Sequence, residues 1–292
     1  MNSQKNVLQG LAVREAMRRQ VISLPAGAGV DQAIRYCTKY KVNALLVTGD
    51  RGKALGVVSK TDLMGAYYAG LPLETPLQAI MSGPPRFCRA EDSLDAALDV
   101  MRTHQVHRLY VEGEKGGKAA GVLAYPDIVG LLYRYCHQCD RSILRSGKKG
   151  KDLADHLTVR EVMTPGVEAV AENAGLAQVM EVLAAARLAA VLVQDASGLP
   201  VGVASKTDLI LAYLHGLSQE TPARVVMNSP VQDCPQEEVL ALAIQQMIFS
   251  DIHRLFIYKK DHRDIVGVLS LSDAARFRSG ACRACLTSRI KV

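Results

Sequence analysis

Apolar and polar positions along this chain switch repeatedly between a helical period and the period of a strand. A short helical start over VREAM (residues 13–17) leads into an apolar run, VISL at 21–24. From Asp31 to Lys41 the positions Ala33, Ile34, Cys37 and Tyr40 recur at roughly helical spacing. Two short strands are expected next, ALLV at 44–47 and ALGVVS at 54–59, joined by TGDRGK, whose Gly and Asp suit a hairpin. Lys60-Thr61-Asp62 then opens a second helix, with hydroxyls and an acid suited to its first turn. The same order, β-α-β-β-α, can be traced from Leu77, Val159 and Ala223, and the runs LLVTG, LYVEG, VLVQD and LFIYK mark one strand in each copy.

The two halves align without a gap. GVVSKTDLMGAYYAGLPLETP starts at Gly56 and GVASKTDLILAYLHGLSQETP at Gly202, an offset of 146 residues. His107-Arg108-Leu109 recurs as His253-Arg254-Leu255, Val13-Arg14-Glu15 as Val159-Arg160-Glu161, and Cys136 and Cys139 as Cys282 and Cys285, all at the same offset. Chance does not keep one register over such a length, so the chain is a duplicated unit, itself divided in two. A single unit of about 60 residues is marginal on surface-to-volume grounds and should pack on its neighbour. The expected fold class is α/β (α+β), four tandem repeats in two pseudo-twofold modules. The first module spans 1–137, with repeats 13–70 and 77–135; the second spans 158–292, with repeats 158–216 and 223–280 and a C-terminal C-x-x-C tail. The polar, basic segment 138–157 reads as the linker.

Composition narrows the class. Hydrophobic residues make up 49% and charged residues 22%, the balance of a folded globular chain. With aromatics at 5% and no Trp, Ala, Val and Leu must fill the core. There is no uninterrupted run of about 18 apolar residues and no secretory leader, so a cytoplasmic protein with no membrane partner is expected. The net charge of +6 is scattered, apart from a cluster at Arg145 through Lys151. That argues against a nucleic-acid partner, which favours a denser basic stripe or interleaved aromatics. Seven Cys, an odd number without a leader, argue against structural disulfides.

A helix N-terminus favours phosphate through its free N–H groups and the positive end of the macrodipole. Ser59 and Thr61 place two hydroxyls at such a turn, and Ser205 and Thr207 repeat them. An Asp there would repel phosphate and is better employed as an acceptor for two ribose hydroxyls. The plainer alternative is that these residues simply cap helices.

A β-α-β-β-α unit ending in G-h-h-S-x-x-D resembles the CBS (cystathionine-β-synthase-type) domain, and four in tandem are similar in layout to the γ subunit of AMP-activated protein kinase. The resemblance implies paired repeats with two clefts per module, adenine-nucleotide ligands (AMP, ADP, ATP or another adenosyl compound) and a regulatory, non-catalytic role in signal transduction. It also implies a homodimer and a regulated protein partner that the sequence does not identify. Carried onto this sequence, Asp62, Asp208 and Asp273 would bind ribose. Ser59, Thr61, Ser205, Thr207, Ser270 and Ser272 would face phosphate, and Val57, Val203 and Val268 would line adenine. His107-Arg108 would lie across from Asp62, and His253-Arg254 across from Asp208, the guanidinium suiting phosphate. The fourth cleft would draw on Thr164 and Ala169 from the start of the third repeat, with fewer cations and hence fewer phosphates. The second repeat reads GVLAYPD, so Ala124 and Pro126 replace the hydroxyls and its cleft is expected to be empty or structural. Lys60 and Lys206 could add phosphate charge or be ordinary solvated residues.

Cys136-x-x-Cys139 and Cys282-x-x-Cys285 could together hold Zn²⁺ tetrahedrally or ligate an iron–sulfur cluster. They could equally be a redox dithiol or helix-face cysteines copied by duplication. A metal- or redox-responsive interaction protein with vestigial clefts is therefore the second reading. No GxSxG, HExxH or P-loop is present, and no enzyme is expected.

Overall fold

The computed structural model describes residues 10–113, 118–131 and 158–278. The expected linker and the four paired cysteines lie outside the described residues.

Each repeat builds one small mixed sheet. In the first, β1 (Ser23–Pro25) runs parallel to β2 (Ala44–Thr48), which pairs antiparallel with β3 (Ala54–Ser59). Parallel neighbours need a crossover, and α2 (Val30–Lys39) supplies it; α3 (Lys60–Tyr68) follows β3. The second repeat, preceded by α1 (Val13–Ala16) in space though not in sequence, has β4 (Phe87–Cys88), α4 (Leu94–Thr103), β5 (Arg108–Glu112), β6 (Ala119–Ala124) and α5, helical over 125–131. The third has β8 (Ala169–Ala171), α6 (Leu176–Ala185), β9 (Ala190–Gln194), β10 (Pro200–Ser205) and α7 (Lys206–Leu214). The fourth has β11 (Asp233–Pro235), α8 (Leu240–Phe249), β12 (Arg254–Tyr258), β13 (Ile265–Ser270) and α9 (Leu271–Arg278). To its sheet β7 (Thr164–Pro165) adds a further strand against β13.

The leading segment of each repeat docks on its neighbour. Val13 N donates to Asp92 O and Leu94 N to Leu11 O, so the chain start belongs to the second repeat's core. Leu77 N reaches back to Ala28 O in the first repeat. Val159 N donates to Glu238 O and Ala223 N to Ala174 O, repeating the exchange in the second half. The strand expected over VISL is shifted to Ser23–Pro25; Val21 and Ile22 line the space between the first two repeats, and Ile22 O still accepts from Leu46 N of β2 at 3.0 Å.

Helix α2 buries Val30, Ala33, Ile34 and Cys37, an i, i+3, i+4, i+7 stripe. That stripe does not stay within the first module. The buried residues of the first and third repeats form one continuous core, and those of the second and fourth form another. Helices α3 and α7 run side by side at the first of these junctions, where Tyr67 and Tyr213 stack with centroids 4.9 Å apart. The sheets of the first two repeats meet separately through Leu46, Tyr110 and Val122. Diagonal contacts complete the ring. Lys41 of the first repeat pairs with Asp251 of the fourth, and Arg187 of the third donates to Gln105 of the second at 3.3 Å. All four residues follow the first helix of their repeat and have left-handed backbone, φ 50° to 53°, the usual conformation where a helix stops. Among the described residues no helix is long and apolar enough to cross a membrane.

Candidate functional site

In each repeat a motif strand, the helix after it and the exchanged leading segment converge. The motif glycines make this convergence possible. A Cβ on Gly56 would lie 2.7 Å from Met81 Sδ and 2.8 Å from Ser82 O, and one on Gly202 would lie 2.7 Å from Met227 Sδ and 2.9 Å from Asn228 O. Gly267 stands in the same relation to Thr164 O at 2.7 Å, and Gly121 to Arg18 O at 2.9 Å. As a result Val57 bridges to Ser82, Val203 to Asn228 and Val122 to Arg18, while Gly267 and Val268 pair with Pro165 and Thr164.

In three repeats the residues after that valine form a capping box. Ser59 caps α3, its backbone N–H and its hydroxyl each donating at 2.7 Å to Asp62 Oδ2. Ser205 and Asp208 repeat this at 2.8 and 2.6 Å, and Ser270 and Asp273 at 3.0 and 2.6 Å. Capping therefore occupies one carboxylate oxygen and leaves the other. Ser82 Oγ donates to Asp62 Oδ1 at 3.3 Å, and Asn228 Nδ2 to Asp208 Oδ1 at 2.8 Å. Sequence reasoning missed Ser82 and Asn228. The signal was available, since they are related by the same offset of 146 that relates Arg18 to Thr164.

The second repeat breaks the pattern in chemistry while keeping its shape. Ala124 N donates to Asp127 Oδ2 at 2.8 Å, and Arg18 Nε holds Oδ1 at 2.7 Å, so both oxygens are committed. Burial raises the Asp127 pKa, with Arg18 opposing. This cleft is lined by Arg18, Gln20, Val21, Ile22, Val42, Ala44, Arg108, Tyr110 and Val122. Arg108 therefore stands beside the second-repeat motif, its Nη1 donating to Ala44 O at 2.6 Å, while its charge also reaches Lys60 of the first-repeat motif. His107 is placed by an edge-on contact with Tyr125, ring centroids 5.8 Å apart.

Arg254 is the counterpart of Arg108. Burial lowers its pKa, with Asp273 opposing, and its charge acts on Lys206. The charge of Arg254 is thus felt at Asp273 of the fourth motif as well as at Lys206. Of the fourth cleft's two expected leading residues, Thr164 opposes Val268, whereas Ala169 lies on the third-repeat sheet opposite Leu192. Ser272 is partly buried on the first turn of α9. His253 keeps contact with solvent, yet burial and then the charge of Lys60 hold its pKa below the usual value.

The two motif lysines do not turn to open solvent. Lys60 Nζ donates to Thr207 Oγ1 at 2.8 Å, and Lys206 Nζ to Thr61 Oγ1 at 2.9 Å, each crossing between the first and third repeats. The pKa of each ammonium is lowered first by burial. Arg108 adds to the effect at Lys60 and Arg254 at Lys206, while Asp208 opposes it at Lys60 and Asp62 at Lys206. The centre of the molecule thus collects lysines and arginines around carboxylates already engaged by caps.

Among the described residues no group of three or more His, Cys, Asp or Glu side chains could hold a metal ion. Cys37, Cys88 and Cys234 are buried free thiols.

Comparison with known proteins agrees with this architecture. The CBS domain family matches residues 13–69, 77–134, 159–215 and 223–280. No curated protein sequence matches. Among solved structures, protein MJ1225 of Methanocaldococcus jannaschii, described as a proposed archaeal homologue of g-AMPK, superposes with a TM-score of 0.75 at 13% identity, over 91% of this chain and 99% of that one. An uncharacterised conserved protein of Pyrococcus horikoshii has a TM-score of 0.59 at 17% identity, over 92% and 100%. The CBS domain protein PAE2072 of Pyrobaculum aerophilum, solved in complex with AMP, matches 40% of this chain and 90% of its own at 26% identity, with a TM-score of 0.38.

Proposed function

Because the chain belongs to the CBS-domain family, with four such domains in one polypeptide, we propose that it is a non-catalytic regulatory protein that binds adenine nucleotides in the clefts at Asp62, Asp208 and Asp273. The observation that carries the reading is the division of labour in Asp62 and Asp208. One oxygen of each completes a helix cap, and the other accepts a single neutral hydrogen bond, from Ser82 or Asn228, with no cation paired to it. That second oxygen is the acceptor a ribose hydroxyl requires, and the capped helix end and nearby cations suit the phosphate that follows it. The second cleft keeps cations but lacks that acceptor and the motif hydroxyls, because Arg18 pairs with the second oxygen of Asp127 and Ala124 and Pro126 replace the hydroxyls. A nucleotide that favours one arrangement of the four repeats would alter the surface offered to a protein partner, by as much as its affinities for the two states differ.

Calorimetric titration with AMP, ADP and ATP tests the reading, with Asp62→Ala/Asp208→Ala as the comparison. Saturable binding that the double variant loses supports it. A folded wild-type chain, freed of co-purified ligand, that binds none of the three rules it out.

A further inference from the structure

The lysines of the S-K-T-D motifs lie on the first turns of α3 and α7, and these helices run side by side between the two halves of the chain. A first-turn side chain on the facing side of such a pair projects into the other helix's N-terminus. Lys60 reaches Thr207 and Lys206 reaches Thr61 in a reciprocal exchange. Among the described residues no carboxylate stands within ion-pair distance of either ammonium, so each spends one hydrogen bond on a neutral hydroxyl. An ammonium has three N–H donors. Two partly buried cations with unspent donors, each seated on the hydroxyl of the opposite motif, are two places prepared for an anion.

We propose that each lysine completes the cleft of the opposite half, Lys60 supplying phosphate charge to the cleft at Asp208 and Lys206 to the cleft at Asp62. This rests on the nucleotide reading above and deepens it. The carboxylate whose charge is felt at Lys60 is Asp208, and the one felt at Lys206 is Asp62, the same crossed assignment that the hydrogen bonds give. Each phosphate would then lie between a serine and a threonine of one half and an ammonium of the other, so a bound ligand ties the halves together.

The test is ADP titration of full-length chains that retain a single one of these two clefts. All carry Asp273→Asn to silence the fourth cleft, and either Asp62→Asn or Asp208→Asn; asparagine keeps an oxygen for the cap. Into each, Lys60→Gln or Lys206→Gln is introduced. In the chain that retains Asp208, Lys60→Gln should weaken ADP about tenfold more than Lys206→Gln, the scale of one charge-assisted hydrogen bond. In the chain that retains Asp62 the order should reverse, and Lys60→Arg or Lys206→Arg should restore most of the affinity. Lysines that act on the cleft of their own motif, or equal effects in both chains, overturn the crossed assignment while leaving nucleotide binding standing. Failure of the unsubstituted chain to bind ADP, AMP or ATP removes the nucleotide reading and the assignment with it.

Discussion

Arg18 closes on Asp127 at 2.7 Å, and this contact distinguishes the second repeat from the other three. At the corresponding positions Ser82 and Asn228 give the second carboxylate oxygen of Asp62 and Asp208 a neutral donor in place of a cation. Arg18→Ala would leave Asp127, 9% exposed, without its cation, at a cost of about 1–3 kcal/mol near neutral pH. Burial raises the Asp127 pKa from 3.8, so the folded chain holds this proton more tightly than the unfolded one. The group therefore favours folding at low pH and withdraws that contribution as pH rises from 3.8 through the folded value. The loss caused by Arg18→Ala should accordingly shrink in acid, and Arg18→Ala/Asp127→Asn should recover most of it at neutral pH. Urea denaturation of the three chains across that range checks both expectations.

His253 offers a second pH signature. Its pKa lies below 6.5 because of burial and the charge of Lys60. With a folded pKa below the unfolded one, the stability it contributes is present above 6.5 and fades as pH falls through the folded value. An anion placed beside Lys60 reverses part of the shift. Nucleotide binding slightly below pH 6.5 should therefore take up protons, read as a dependence of calorimetric enthalpy on the ionisation heat of the buffer. His253→Gln should reduce the proton uptake, leaving the exchange that comes from the phosphate of the nucleotide itself.

The junction of the first and third repeats is held by a symmetric tyrosine pair. Tyr67 Oη donates to Leu217 O at 2.7 Å, Tyr213 Oη donates to Leu71 O, and the rings stack at an interplanar angle of 12°. Tyr67→Phe and Tyr213→Phe should each cost about 1 kcal/mol, the net worth of one hydrogen bond. Either tyrosine replaced by alanine should cost about 3–5 kcal/mol. The two alanine losses should be non-additive, since the rings share one stack. Thermal denaturation of the single and double variants gives the comparison.

Gly56→Ala and Gly202→Ala should each destabilise by about 1–3 kcal/mol through overpacking. The new methyl group would meet backbone as well as sulfur, at Ser82 O in one case and Asn228 O in the other. Truncation of Met81 or Met227 should therefore fail to rescue the variants. Retention of wild-type melting temperature by Gly56→Ala would contradict the close approach.

Much of this was legible in the residues. The constant offset identified the two halves, the recurring strand runs divided each in two, and the helix start at Lys60 is where the motif put it. Periodicity could mark the stripe on α2 as buried, but it could not say that the stripe covers the third repeat, because apolar side chains do not name their partners. Lys60 and Lys206 were undecided between phosphate and solvent for the same reason: the answer depends on where a helix of the other half begins. The commitment of Asp127 was hidden because its cation, Arg18, comes from a leading segment that crosses to the next repeat. Ser82 and Asn228 were readable in principle. They occupy one position in the two halves as different residues, so a search for identity passed over them.

The core shared by the first and third repeats means that each half of this polypeptide covers an apolar face that its own residues cannot cover. A half-length chain would have to meet a second copy of itself to bury that face, and every substitution in it would appear twice in the assembly. Fusion released that constraint. Arg18 could arise where its twin is Thr164, and Ala124 and Pro126 where their twins are Ser270 and Ser272. Two equivalent positions can thus carry different chemistry, an asymmetry that two identical subunits cannot have.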